Sequence, residues 1–174
     1  MSSLTFDLIV RPRRGWQRLA ADSGGYAQPL LSTGPTAAAS IALAFVGAIL
    51  SGATVGQTTV ILLATTGGYV GACVFVARLA PVLAGDGDPP PALARYASAA
   101  AVPALATGAA YLTPWKLIWW LVALLGCALT ARSAVLGART LLRAAGGDHL
   151  RTAAIVAALA SAPVLAVTAF RSIA

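Results

Sequence analysis

Acidic residues are nearly missing from this chain of 174 residues: it has no glutamate, and its five aspartates stand against twelve lysines and arginines. With a single histidine, it lacks the carboxylate pairs and histidine clusters on which most acid–base and metal chemistry depends. Charged residues of both signs make up only 10% of the chain. A soluble domain carries roughly 25%, so there is too little polar surface to face water on all sides. The two cysteines, Cys73 and Cys127, fall inside apolar stretches and read as small buried hydrophobes rather than as a disulfide or redox pair. There is no phosphate-binding glycine loop, no metal motif and no nucleophile with a base at recognisable spacing. The reading is therefore non-enzymatic, with no cofactor.

What is present is apolar: 59% of residues are hydrophobic, 41 are alanine, and the mean hydropathy is +0.82. At about 20 residues per helical crossing, these stretches predict an all-α polytopic membrane protein of five spans. The net charge of +7 does not indicate nucleic acid, because the basic residues are scattered between apolar blocks; they suit one face of a membrane. The first long apolar run begins near Thr36, after four arginines, so the first span is expected to stay as an anchor and not to be a cleaved signal.

Fifty-five uncharged residues separate Asp22 from Arg78, enough for two crossings. The turn between them falls at Ser51–Thr59, where Gly52, Gly56, Gln57, Thr58 and Thr59 interrupt the large apolar side chains. The predicted spans are 36–54, with Pro35 in the opening turn, and 59–80, running out at Arg78 and Pro81. The stretch Gly85–Pro91 holds three prolines with two glycines and two aspartates that favour turns, and is expected to be a loop. A third span at 92–112 starts with Arg95 and Tyr96 and is kinked at Pro103. A fourth at 115–136 is capped by Thr113 and Pro114. A fifth, at 152–170, is capped by Asp148 and contains Pro163.

Five crossings place Arg11, Arg13, Arg14, Arg18, Arg78, Arg95, Arg132, Arg139, Arg143 and Arg151 on one side, against Lys116 and Arg171 on the other. The positive-inside rule makes the first side cytoplasmic, with the C-terminus outside. Tyr111, Trp115, Trp119 and Trp120 gather beside Lys116 as an outer aromatic belt.

Residues 1–35 form a separate cytoplasmic segment. Pro12 opens a short helix on which Trp16, Leu19 and Ala20 share a face and Arg13, Arg14, Gln17 and Arg18 occupy the rest. It is expected on the inner leaflet, with Phe6, Leu8, Ile9 and Val10 dipping in, either fixing the entry of the first span or docking on anionic phospholipid or a partner protein. Arg132, Arg139 and Arg143 share a second basic face, which serves topology or, with His149 and Arg151, an anion. Gly67, Gly68 and Gly71, and the series Ala48, Gly52, Gly56, have the spacing of close helix contacts within the chain or in a homo-oligomer.

The run Arg11-Pro12-Arg13-Arg14-Gly15-Trp16-Gln17-Arg18-Leu19 resembles the P-x-x-x-W-x-x-I/L opening of bacterial members of the Yip (Ypt-interacting protein) family. Leu83-Ala84-Gly85, the Tyr96-Ala97 pair and Pro103 are similar to that family's glycine turn and third span, although Asp86 replaces its second glycine. The resemblance implies five spans behind a cytoplasmic amphipathic segment and carries over no catalytic residue. Eukaryotic members act with small GTPases in vesicle traffic, through an acidic cytoplasmic region missing here. The expected function is that of an accessory, scaffold or membrane-organising protein of a bacterial inner membrane. The alternative is a passage for a small solute or lipid around the proline-kinked third and fifth spans, through Thr107, Ser161 or Thr168.

Overall fold

The long uncharged stretch divides at a tight turn. In the computed structural model, which describes residues 7–8, 10–21, 27–84, 115–141 and 149–173, the chain stops being helical at Leu50 and resumes at Val55. Gly52 adopts a φ of 71°. Its N–H donates to the carbonyl of Ile49, and the N–H of Ala53 donates to that of Ala48, both at 3.0 Å. These two bonds satisfy the carbonyls left over at a helix end, and the left-handed residue they need is most cheaply glycine. The next helix opens on a capping box: Thr54 Oγ1 accepts the N–H of Gln57 at 3.3 Å, and Gln57 Oε1 accepts the N–H of Thr54 at 2.9 Å. Both partners satisfy donors that a helix start would otherwise leave open.

The described residues form α1 (Pro12–Ala21), α2 (Ala27–Leu50), α3 (Val55–Ala84), α4 (Lys116–Leu141) and α5 (His149–Ile173), with no strand among them. The chain is all-α as expected, and several boundaries differ from expectation. Pro35 does not open α2 but lies inside it. The residue before it is Gly34, which has no Cβ to meet the proline ring, so the usual bar to helix before proline is weakened. Likewise α3 passes Arg78 and Pro81 to end at Ala84, α4 runs five residues beyond 136, and α5 starts three residues before 152. The loop at 85–91, the span at 92–112, and the caps Thr113, Pro114 and Asp148 lie outside the described residues.

The four long helices contain 24, 30, 26 and 25 residues, or about 36–45 Å at 1.5 Å per residue. Helix α5 packs against both α3 and α4; α2 lies on α3, and α1 on α4. Lys116 Nζ donates to the carbonyl of Ser172 at 2.9 Å, which makes α4 and α5 antiparallel and sets a cation at the carbonyl end of α5, where the helix dipole favours it. Gly68 faces Pro163 and Val167, while Val76 shares a buried cluster with Ala153 and Val156, so α3 and α5 are antiparallel too. The ends of α3 and α4, the start of α5 and all of α1 therefore meet at one end of the bundle. The α2–α3 turn and the start of α4 lie at the other.

Small residues line the inside. Ser40, Ala44, Ala48, Thr65, Ala123, Thr130, Ala134, Ala138, Ala153 and Ala160 are all buried. The large apolar side chains Phe45, Ile49, Leu63, Val70, Leu121, Leu124 and Leu125 point outward. In a water-soluble bundle the large ones would fill the core; small residues at close helix contacts and large ones outside is the distribution expected of helices in lipid. Thr65, Thr130 and Thr168 donate their hydroxyl hydrogens to carbonyls four residues earlier, at 2.8–2.9 Å, so their polarity is satisfied within the helix. Among the described residues, Lys116–Thr140 and Leu150–Ala169 are long and apolar enough to cross a membrane, and Ala37–Leu50 is a shorter apolar helix.

Gly52→Ala must place a Cβ in the left-handed region and is expected to lower the free energy of unfolding in detergent by about 1–2 kcal/mol. Gly56→Ala, at a helical position with open space around it, should be neutral or stabilising by up to about 1 kcal/mol. Denaturant titration of both variants checks this; equal effects would show that the turn does not depend on its left-handed residue.

Candidate functional site

The basic end of the bundle is built around α1. Arg11 is its N-cap residue: its carbonyl accepts the N–H groups of Arg14 at 2.9 Å and Gly15 at 3.2 Å. Pro12 follows at the first helical position, where it has no hydrogen bond to lose. The turn before it folds back over the helix. A Cβ on Gly15 would lie 2.9 Å from the backbone nitrogen of Leu8 and 3.0 Å from its Cα, so only glycine admits this crossing. The carboxylate of Asp7, itself buried, accepts a hydrogen bond from the Arg18 guanidinium, tying the turn to the far end of α1.

The apolar face of α1 consists of Pro12, Gly15, Trp16 and Leu19; Ala20 is exposed. This face is turned to protein and not to lipid. Trp16 is fully buried, and its indole occupies the space above Gly137 on α4: a Cβ there would come within 2.6 Å of Cε2 and Cζ2. One turn earlier on α4, Ser133 Oγ accepts the indole N–H at 3.2 Å. A buried indole needs both a flat apolar seat and an acceptor for its one donor, and the Ser-x-x-x-Gly step supplies the two together. Leu8 and Leu19 join the same cluster with Ala134, Ala138, Ala153 and Val156, so Leu8 lies against protein, while Val10 is exposed.

Docking α1 on α4 leaves an open groove of about 740 Å³ between them, lined by Arg11, Pro12, Arg13 and Arg14 on one side and by Ala131, Arg132, Val135 and Leu136 on the other. Four arginines are thus among the residues that line a mostly apolar groove. The sequence placed Arg132 on one basic face and Arg11, Arg13 and Arg14 on another; the structure brings them together. Arg18 turns away toward Asp7, Arg139 is exposed on α4 outside the groove lining, and Arg143 lies outside the described residues. Asp7 is the one acidic residue among those described, and its ion pair is with Arg18.

The other candidates are dispersed. A Cβ at Gly68 would make ordinary contacts of 3.8 Å with Pro163 and Val167, while Gly67 and Gly71 have nothing among the described residues within 4 Å. The glycine helix contact that the structure depends on is Gly137, which the sequence reading passed over. Its signal was Ser133 four residues before it, on the side of a predicted basic face. In the aromatic group, Trp115 is exposed, Trp120 half-buried and Trp119 buried, and Tyr111 lies outside the described residues. Cys127 is a free, half-buried cysteine. Among the described residues no three His, Cys, Asp or Glu side chains converge.

Gly137→Leu and Trp16→Ala should each release α1, since losing a buried tryptophan contact costs about 3–5 kcal/mol. The reading is trypsin cleavage within Arg13–Arg18 of the detergent-solubilised protein, expected to quicken on the order of a hundredfold. Gly71→Leu, pointing into open space, should leave cleavage as in the parent. Equal release by Gly71→Leu would mean that the indole–glycine contact is not what holds the helix.

No family model matches the chain, and neither the curated proteins nor the solved structures contain a significant match to it.

Proposed function

We propose that this chain is a non-enzymatic protein of a bacterial inner membrane, crossing it five times with its N-terminus in the cytoplasm, and that it serves as a scaffold or accessory component presenting a fixed basic surface on the cytoplasmic side. The observation that carries this reading is the burial of Trp16 against Ser133 and Gly137, which makes the arginine-rich segment a built part of the bundle end. The bundle's outward-facing large apolar side chains support insertion in lipid. Helix α3 ends and α4 begins at opposite ends of the bundle, in keeping with an odd number of crossings. The similarity of residues 11–19 to the Yip opening fits the same layout. The competing passage reading has less behind it: Thr168 donates its hydrogen to Val164 of its own helix, and Thr107 lies outside the described residues.

Single cysteines at Ser3, Asp86 and Ala174, on a cysteine-free background, test the topology. The first two are expected to stay unlabelled by an impermeant maleimide in intact spheroplasts, and the third to react. Labelling of the Asp86 site from outside would overturn the five-span arrangement. For the scaffold role, a deletion strain should be rescued by Ser161→Ala with Thr168→Val but not by Trp16→Ala. The reverse pattern, with α1 still docked, would make the passage reading the better one.

A further inference from the structure

We propose that the groove between α1 and α4 binds one anionic phospholipid, with its phosphate among Arg11, Arg13, Arg14 and Arg132 and an acyl chain along Ala131, Val135 and Leu136. The proposal rests on the membrane-embedded reading given above and assigns a ligand to its basic end.

Charge comes first. Four arginines border one groove, and Asp7, the acidic side chain among the described residues, is held by Arg18. That carboxylate does not line the groove. Guanidinium groups present planar forks of donors that match phosphate oxygens two at a time. Because Trp16 and Gly137 fix α1 in place, the backbone positions of Arg11, Arg13 and Arg14 are set before any ligand arrives, which lowers part of the ordering cost of binding.

The apolar floor chooses between a lipid and a soluble phosphate. A small anion would use the arginines and leave Val135 and Leu136 uncovered; a lipid uses both halves. The volume of about 740 Å³ is within the roughly 300–1,000 Å³ of small-molecule sites. Depth agrees as well. Lys116 and Arg132 are sixteen residues apart on α4, about 24 Å along the axis, against a hydrocarbon thickness of about 30 Å. With Lys116 at the outer boundary, the backbone of Arg132 stops about 6 Å short of the inner one, a gap its long side chain spans by snorkelling, so the groove opens toward the level where phosphates meet acyl chains. Residues 131, 135 and 136 continue the wall of a helix apolar enough to cross the membrane.

The test uses the full chain reconstituted in nanodiscs of phosphatidylcholine with one-tenth phosphatidylglycerol, released and weighed by native mass spectrometry. One phosphatidylglycerol per chain should be retained. Arg132→Gln should cut retention roughly tenfold, the value of one charged hydrogen bond. Arg78→Gln, which removes the same charge from an exposed site at the same end of α3, should leave it within twofold. Ala131→Phe fills the floor without touching charge and should displace the lipid while trypsin resistance of α1 persists. Equal losses from Arg78→Gln and Arg132→Gln would reduce the effect to diffuse surface charge and overturn the site. Displacement of the lipid by millimolar inorganic phosphate would assign the arginines to a soluble anion and overturn it too, as would specific retention of an acidic protein in place of lipid. Absence of bound lipid, with the cysteine labelling as expected, refutes this proposal alone; Ser3 labelled from outside refutes the membrane orientation beneath it.

Discussion

The indole of Trp16 lies where residue 137 would carry its side chain if it had one, and the geometry of the basic end follows from that seat. A missing Cβ on α4 lets the ring come against the helix, and Ser133 takes its N–H. With the ring fixed, the direction of α1 is set, and with it the positions of Arg11, Arg13 and Arg14 relative to Arg132. The second glycine approach, Gly15 beneath the backbone of Leu8, performs the same service next to Trp16 on α1 itself. It admits the folded-back turn whose aspartate engages Arg18.

Elsewhere the helices use a different economy. Their buried positions are mostly alanine, serine and threonine, with a few valines; the small side chains bring backbones close and lose little freedom on packing, and the hydroxyls of Thr65, Thr130 and Thr168 are satisfied within the same helix. Such a bundle gains little from water exclusion between its helices and depends on van der Waals contact over long parallel surfaces. The large side chains are left for the surroundings. Helix α1 is the exception: it is short and charged, and its two large apolar groups, Trp16 and Leu19, are buried in protein.

Helical class and a turn beginning at Ser51 were legible because 55 uncharged residues exceed one crossing and glycine marks the break, but the turn was expected to run to Thr59, and residues 55–59 belong to α3. The capping pair Thr54 and Gln57 was also written in the sequence, as Thr-x-x-Gln, but it stood inside a run read as generic turn residues. Pro35 misled because proline suits a helix start, and the glycine before it, which permits helix on both sides, carries no such signal. The apolar face of α1 was visible from Pro12, Trp16 and Leu19, but what it covers was not: spacing along one helix says which side is apolar and is silent on whether lipid or another helix meets it. Gly137 was hidden among alanines for the same reason. A small residue becomes a seat only when a distant ring lies on it, and Trp16 and Ser133 are 117 residues apart.

That separation has a consequence for assembly in time. Synthesis runs from the N-terminus at roughly 5–20 residues per second, so α1 leaves the ribosome some 6–23 seconds before its seat on α4 exists. During that interval Trp16 has no helix to bury it, and the arginines flanking it have no groove to border. Only when α4 is in place do Arg11, Arg13, Arg14 and Arg132 border a single site. The basic groove is thus the last feature of the chain's N-terminal end to form, and its presence records that the late helices have arrived.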